Sequence, residues 1–148
     1  MNFSSSSSSS TLAAAPQPVR ERTLTQLDHA RLSRLLDSQD DPGEVLSEML
    51  DMSEVVDPRE IAADIVTMNS RVLLADAGGA RPQELTLCYP EQAQASQGKV
   101  SVLSPVGASL LGAQVGRTVQ WTPPGGAARQ ALVQALLYQP EAAGDFLR

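Results

Sequence analysis

Aromatic residues are scarce in this chain, at 3% of 148 residues. A core without stacked rings must be aliphatic, drawn from Val, Leu, Ile, Ala and Met within the 42% of the chain that is hydrophobic. The same scarcity argues against the aromatic platforms on which single-stranded nucleic acids stack. Basic charge is also short: 11 Lys and Arg stand against 17 Asp and Glu, for a formal charge of -6. Such a chain repels phosphate backbones and has few cations with which to release counterions, so direct, specific DNA binding is not expected. A single cysteine, Cys88, excludes an intramolecular disulfide. It lies in an alternating run from Leu85 to Tyr89 and reads as a strand thiol packed like a small hydrophobe, without redox duty. No stretch approaches the roughly 18 to 20 apolar residues that cross a bilayer. No basic n-region precedes an apolar stretch at the N-terminus, so neither membrane nor export is indicated and a cytoplasmic location is expected.

Histidine is limited to His29, with no second histidine or nearby cysteine to complete a metal site. That lone imidazole is far in sequence from Cys88, and no nucleophile elbow or Lys-bearing phosphate loop occurs. The sequence therefore predicts no enzyme, no catalytic residues, no metal and no cofactor.

What is present divides into three segments. Residues 1–22 open with seven serines after Phe3 and continue as Ala- and Pro-rich sequence, a composition too poor in apolar surface to offset ordering entropy. This tail is expected to be disordered. Residues 23–57 read as a helical hairpin: Leu32, Leu35 and Leu36 recur at helical spacing after the capping candidate Thr25, and Leu46, Met49 and Leu50 resume the period after a break at 38–43. Two helices of roughly 13 residues make an antiparallel hairpin about 20 Å long. Residues 58–148 carry strand patterns at 64–74, 85–89, 100–103, 115–121 and 131–138, with Gly78-Gly79 ending the first. One short helix interrupts them, with Ser104 as N-cap, Pro105 at the first helical position and Gly112 past its end. The expected class is α+β, an antiparallel sheet with one short helix against it.

The acidic group Asp37, Asp40, Asp41 and Glu44 marks the hairpin tip. Exposed paired carboxylates of this kind can present a hard divalent cation to another protein's active centre. The same residues are also ordinary turn and helix-start residues, and both readings stay open at this point.

Three stretches in order carry a family resemblance: Val66-Thr67-Met68-Asn69-Ser70, then Ser104-Pro105-Val106-Gly107-Ala108-Ser109-Leu110-Leu111-Gly112, then Pro124-Gly125-Gly126 followed by Tyr138 to Phe146. Over about residues 24–148 the chain resembles the bacterial regulators of nucleoside diphosphate kinase, relatives of the GreA/GreB transcript-cleavage elongation factors. The Ser-Pro and Pro-Gly-Gly signals are shared with Gre factors, and the Met-Asn-Ser stretch and C-terminal tail point to the regulator branch. The resemblance implies a short N-terminal coiled coil, an FKBP-like C-terminal domain, and a monomer that docks on RNA polymerase at the rim of its secondary channel. Ser104, Pro105 and Val106 correspond to the Gre docking surface, a role compatible with their helix-capping one. Two departures bear on mechanism. Gre coiled coils are much longer, so a ~20 Å hairpin stops short of the polymerase active centre. Arg117 stands where the family pattern has Asp. The resulting expectation is a regulator that competes with Gre-type factors without stimulating cleavage. Its rivals are a cleavage factor using Asp40 and Asp41, and an FKBP-like prolyl isomerase, which the shortage of aromatics disfavours.

Overall fold

The computed structural model describes residues 15–38, 44–76 and 82–145. Strand β1 (Thr23–Thr25) runs directly into helix α1 (Gln26–Asp37). Thr25 caps that helix, its hydroxyl accepting from the Asp28 amide at 3.0 Å, as the sequence predicts. Helix α2 (Glu44–Met52) follows, then strand β2 (Glu54–Val56), which pairs parallel with β1. The hairpin's second helix is thus shorter than expected. The Glu54 amide donates to the Arg22 carbonyl at 2.9 Å, so strand pairing takes over where another helical turn was predicted. β-branched Val55 and Val56 suit that exchange.

The rest of the chain builds a curled five-stranded sheet in the order β5-β4-β3-β7-β6. Its strands are β3 (Arg71–Asp76), β4 (Gln83–Cys88), β5 (Lys99–Ser101), β6 (Thr118–Trp121) and β7 (Arg129–Tyr138), with helix α3 (Pro105–Leu110) between β5 and β6. The sheet is mixed rather than wholly antiparallel, because β4 and β5 pair in parallel. Two one-turn 3-10 helices, Pro90–Gln92 and Ala95–Gln97, lie in the connection and return β5 in the same direction as β4. Register shifts between β3 and β7 at Arg71/Val72 and Leu73/Leu74 mark bulges, which bend a strand and increase its twist.

The predicted strand at 64–74 begins only at Arg71. Ahead of it, Asn69 takes the left-handed conformation (φ +67°), which Asn tolerates better than most side chains. The stretch from Thr67 to Ser70 is a buried turn: the Thr67 amide donates to the Ser70 hydroxyl at 3.0 Å, and the Asn69 amide to the Leu87 carbonyl at 2.7 Å. Gly78-Gly79 lies outside the described residues.

The expected boundary of the N-terminal tail also changes. Gln17 and Arg22 are buried, and the Gln17 amide donates to the Thr118 carbonyl at 2.9 Å, so the segment from residue 15 onward packs on the sheet. Leu24 of β1, Leu32 of α1 and Leu46 and Met49 of α2 share one buried cluster with Val66, Met68, Val72, Leu87, Val102, Leu110 and Val119. The core is aliphatic, as the composition requires. His29 links α1 to α2, its Nε2 lying 2.8 Å from the Leu50 carbonyl.

Candidate functional site

The Ser104-Pro105 stretch enters α3 as predicted. The Ser104 hydroxyl accepts from the Gly107 amide at 3.1 Å and donates to the Ser101 carbonyl at 2.6 Å, which fixes the helix start against β5. Pro105, at the first helical position, is exposed, whereas Val106 is half-buried against the core. Gly107 is required by close approach: a Cβ there would lie 1.9 Å from the Ser101 carbonyl oxygen. At the other end Gly112 has φ +75°, and its amide donates to the Val66 carbonyl at 2.9 Å. Its hydrogen atoms face the backbone of Thr23, where a Cβ would come within 3.1 Å of the carbonyl oxygen.

A buried cation holds this helix from behind. Arg22 Nη1 donates to the Ser109 and Leu111 carbonyls, each at 2.8 Å, and its Nε and Nη2 donate to the Gln17 carbonyl at 3.3 and 3.2 Å. A guanidinium at the C-terminal carbonyls complements the negative end of the helix. Burial, reinforced by nearby Arg117, lowers its pKa to about 10, so it stays charged at neutral pH. Sequence reasoning missed Arg22, since it falls within the expected tail and contacts residues nearly ninety positions away. Arg117 pairs with Glu21 at 2.9 Å and so ties the same N-terminal segment to the sheet.

In front of α3 lies a groove of about 580 Å³. Ser104, Pro105, Ala108 and Ser109 form one wall, Val45 and Leu46 of α2 another, and Leu103, Gln120, Trp121 and Thr122 the floor. No described residue lining it carries a formal charge. Val45 is 55% exposed, and Trp121 lies beneath the Arg129 guanidinium, 5.5 Å from ring centre to cation. Trp121 and Val45 were not singled out from the sequence, because neither carries a motif.

Of the predicted tip residues, Asp40 and Asp41 lie outside the described residues, as does the side chain of Glu44. The first turn of α2 that Glu44 opens contributes Val45 and Leu46 to the Ser104 groove. Among the described residues no group of three or more His, Cys, Asp or Glu is placed to hold a metal. Cys88 is buried in β4 with its thiol donating to the Val100 carbonyl, and burial raises its pKa.

A second constellation joins the Met-Asn-Ser turn to the C-terminal tail. Gln139 is buried and its Nε2 donates to the Ala62 and Ile65 carbonyls at 2.8 and 2.7 Å. The Thr67 hydroxyl donates to Glu141 at 2.7 Å, and the Met68 amide donates to buried Asp28 of α1 at 3.1 Å. Helix, turn and tail are thus one unit. Asp28 is pushed up to about 6 by burial, opposed by the Met68 amide and assisted by the Glu141 carboxylate.

Residues 61–138, more than half of the chain, match the C-terminal domain of the transcription elongation factors GreA and GreB. The regulator of nucleoside diphosphate kinase of Escherichia coli K12 is 40% identical over 128 residues, spanning 84% of this chain and 94% of that protein. The chain belongs to the regulator of nucleoside diphosphate kinase family. Its Gre kinship is visible in GreA of Chloroherpeton thalassium, 37% identical over 84 residues, 57% of this chain and 53% of that factor. It is visible again in the GreA/GreB structure from Nitrosomonas europaea, which superposes with a TM-score of 0.67 at 37% identity and covers 79% of this chain and 99% of that one. These relatives are named as regulators and transcription factors. The Thr67–Glu141 contact joins the Met-Asn-Ser stretch to the C-terminal tail, and the Ser104-Pro105 turn lines the uncharged groove. Among the described residues no helix is long and apolar enough to cross a membrane.

Proposed function

We propose that this chain works in the cytoplasm as a monomer that docks on RNA polymerase near the secondary channel through Ser104, Pro105 and Val106. It competes there with Gre-type factors without stimulating transcript cleavage, and alters nucleoside diphosphate kinase levels indirectly. The observation that carries the reading is the uncharged groove beside a rigidly capped Ser104-Pro105 turn, in a chain whose net charge is -6. Such a surface suits a protein partner rather than a nucleic acid backbone. On this reading residues 23–57 are the counterpart of the Gre coiled coil and residues 58–148 of its FKBP-like domain.

The hairpin geometry supports docking without cleavage. Helices of 12 and 9 residues are about 18 and 13 Å long. Both bury side chains in the common core, and the first turn of α2 borders the docking groove. Helices this short lack the reach of a long coiled coil. No catalytic group or cofactor is required of this chain.

The test is binding of the purified protein to core RNA polymerase, alone and with an excess of a Gre factor, with Pro105→Ala alongside. Micromolar or tighter binding that the Gre factor displaces, weakened several-fold by the substitution, is the expected result. Absence of binding sinks the reading. Cleavage of backtracked transcripts by the wild-type chain would return the acidic tip to a catalytic-support role.

A further inference from the structure

A second hollow, about 720 Å³ in volume, lies between α1 and the β4–β5 edge of the sheet and shares no lining residue with the docking groove. Arg31 and Arg34 enter it from successive turns of α1, three residues apart and hence on one face, while Lys99 comes from β5. Glu91 is the sole carboxylate among its described lining residues. A cleft with three cations to one acid is anomalous in a chain with a net charge of -6.

Arg31 is engaged with Tyr89 on the cleft wall, which leaves Arg34 and Lys99 as the cations that face the hollow. Among the described residues neither Arg34 nor Lys99 forms a salt bridge. The field of Lys99 reaches the Cys88 thiol on the cleft wall. Elements nearly seventy residues apart thus bring positive charge to one cleft, a field that favours an anion there. The remaining wall includes Leu35 and Tyr89, an apolar counterpart to the charged side. The volume lies within the range of cavities that hold small organic ligands.

We propose that this cleft binds a small organic phosphate carrying two or more phosphate groups, the phosphates between Arg34 and Lys99 and the organic part against Leu35 and Tyr89. The overall negative charge disfavours an extended polyanion at the same place. The proposal does not depend on polymerase docking.

The test is isothermal titration of the full chain with ATP at low salt, with inorganic pyrophosphate as competitor, and with the double variant Arg34→Glu, Lys99→Glu. Both side chains are exposed, so the fold should survive, which circular dichroism checks. The single variants Arg34→Gln and Lys99→Gln give a milder form of the same comparison. Saturable ATP binding, competed by pyrophosphate and weakened at least tenfold by the double variant, supports the assignment. No binding at millimolar ATP, no competition, or an affinity indifferent to the substitutions overturns it. Tighter binding of a single-stranded RNA, lost in the same variant, also overturns it and makes the cleft a nucleic acid surface.

Discussion

Replacing Arg22 by Met keeps a long apolar stem and removes every donor. Three buried carbonyl oxygens, those of Gln17, Ser109 and Leu111, then lose the guanidinium that serves them. Each orphaned group costs about 1–3 kcal/mol, for a gross loss of about 6 kcal/mol. Opposing this, the substitution relieves the burial of a charge. The depression of the Arg22 pKa from 12.5 to about 10 corresponds to about 3 kcal/mol at roughly 1.4 kcal/mol per unit. The orphaned carbonyls outweigh the relieved charge, and Arg22→Met should be less stable than the wild type by about 3 kcal/mol. For a chain of this size that is a fall in Tm of about 10 °C. Urea denaturation at pH 7 followed by circular dichroism reads the difference directly, provided the m-value is unchanged. A variant as stable as the wild type, or more so, would show that desolvation of the guanidinium dominates and that α3 is not held by Arg22.

Two further substitutions test the unit around Asp28 and the start of α3. The folded-state pKa of Asp28, about 6, lies above its ordinary 3.8, so the native state holds the proton more tightly. Its stabilising contribution is complete below about pH 4 and is lost as pH rises through 6, a change of about 3 kcal/mol. In Asp28→Asn the amide oxygen can still accept from the Met68 amide, and the stability difference from wild type, measured by urea titration at steps from pH 4 to 8, should trace that loss. A difference flat across the range refutes the assignment. Gly107→Ala places a methyl 1.9 Å from the Ser101 carbonyl oxygen, forcing α3 away from β5 at a cost of about 3 kcal/mol. A Tm within a degree or two of wild type means the approach is not so close.

Legibility from sequence followed the range of the interactions. The caps at Thr25 and Ser104 were readable because each closes within three residues, and both form as predicted. The α+β class and the strands β4, β6 and β7 came from period-two patterning, with ends displaced by a few residues. The stretch from Asp64 to Ser70 misled, since its alternating sequence folds as a turn around Asn69 in which Ile65 to Met68 are all buried. The parallel β4–β5 pair was hidden because strand direction depends on the path of the connection and not on strand composition.

The candidate site divides in the same way. Ser104, Pro105 and Val106 stood out because a cap and a proline have local signatures, and the family resemblance gave them a role. Trp121, Val45 and Arg22 became relevant only when β6, α2 and the N-terminal segment were seen to converge on α3.

By itself the sequence determined an aliphatic core, an acidic chain, the helix caps and the family, because composition and short-range hydrogen bonding need no knowledge of distant partners. Tertiary structure alone decided that α1 and α2 share the core of the sheet, that Gln17 and Arg22 are buried in the fold, and that Arg31, Arg34 and Lys99 face one cleft. Those outcomes rest on contacts between residues tens of positions apart, whose free energy depends on burial and direction that no local pattern encodes.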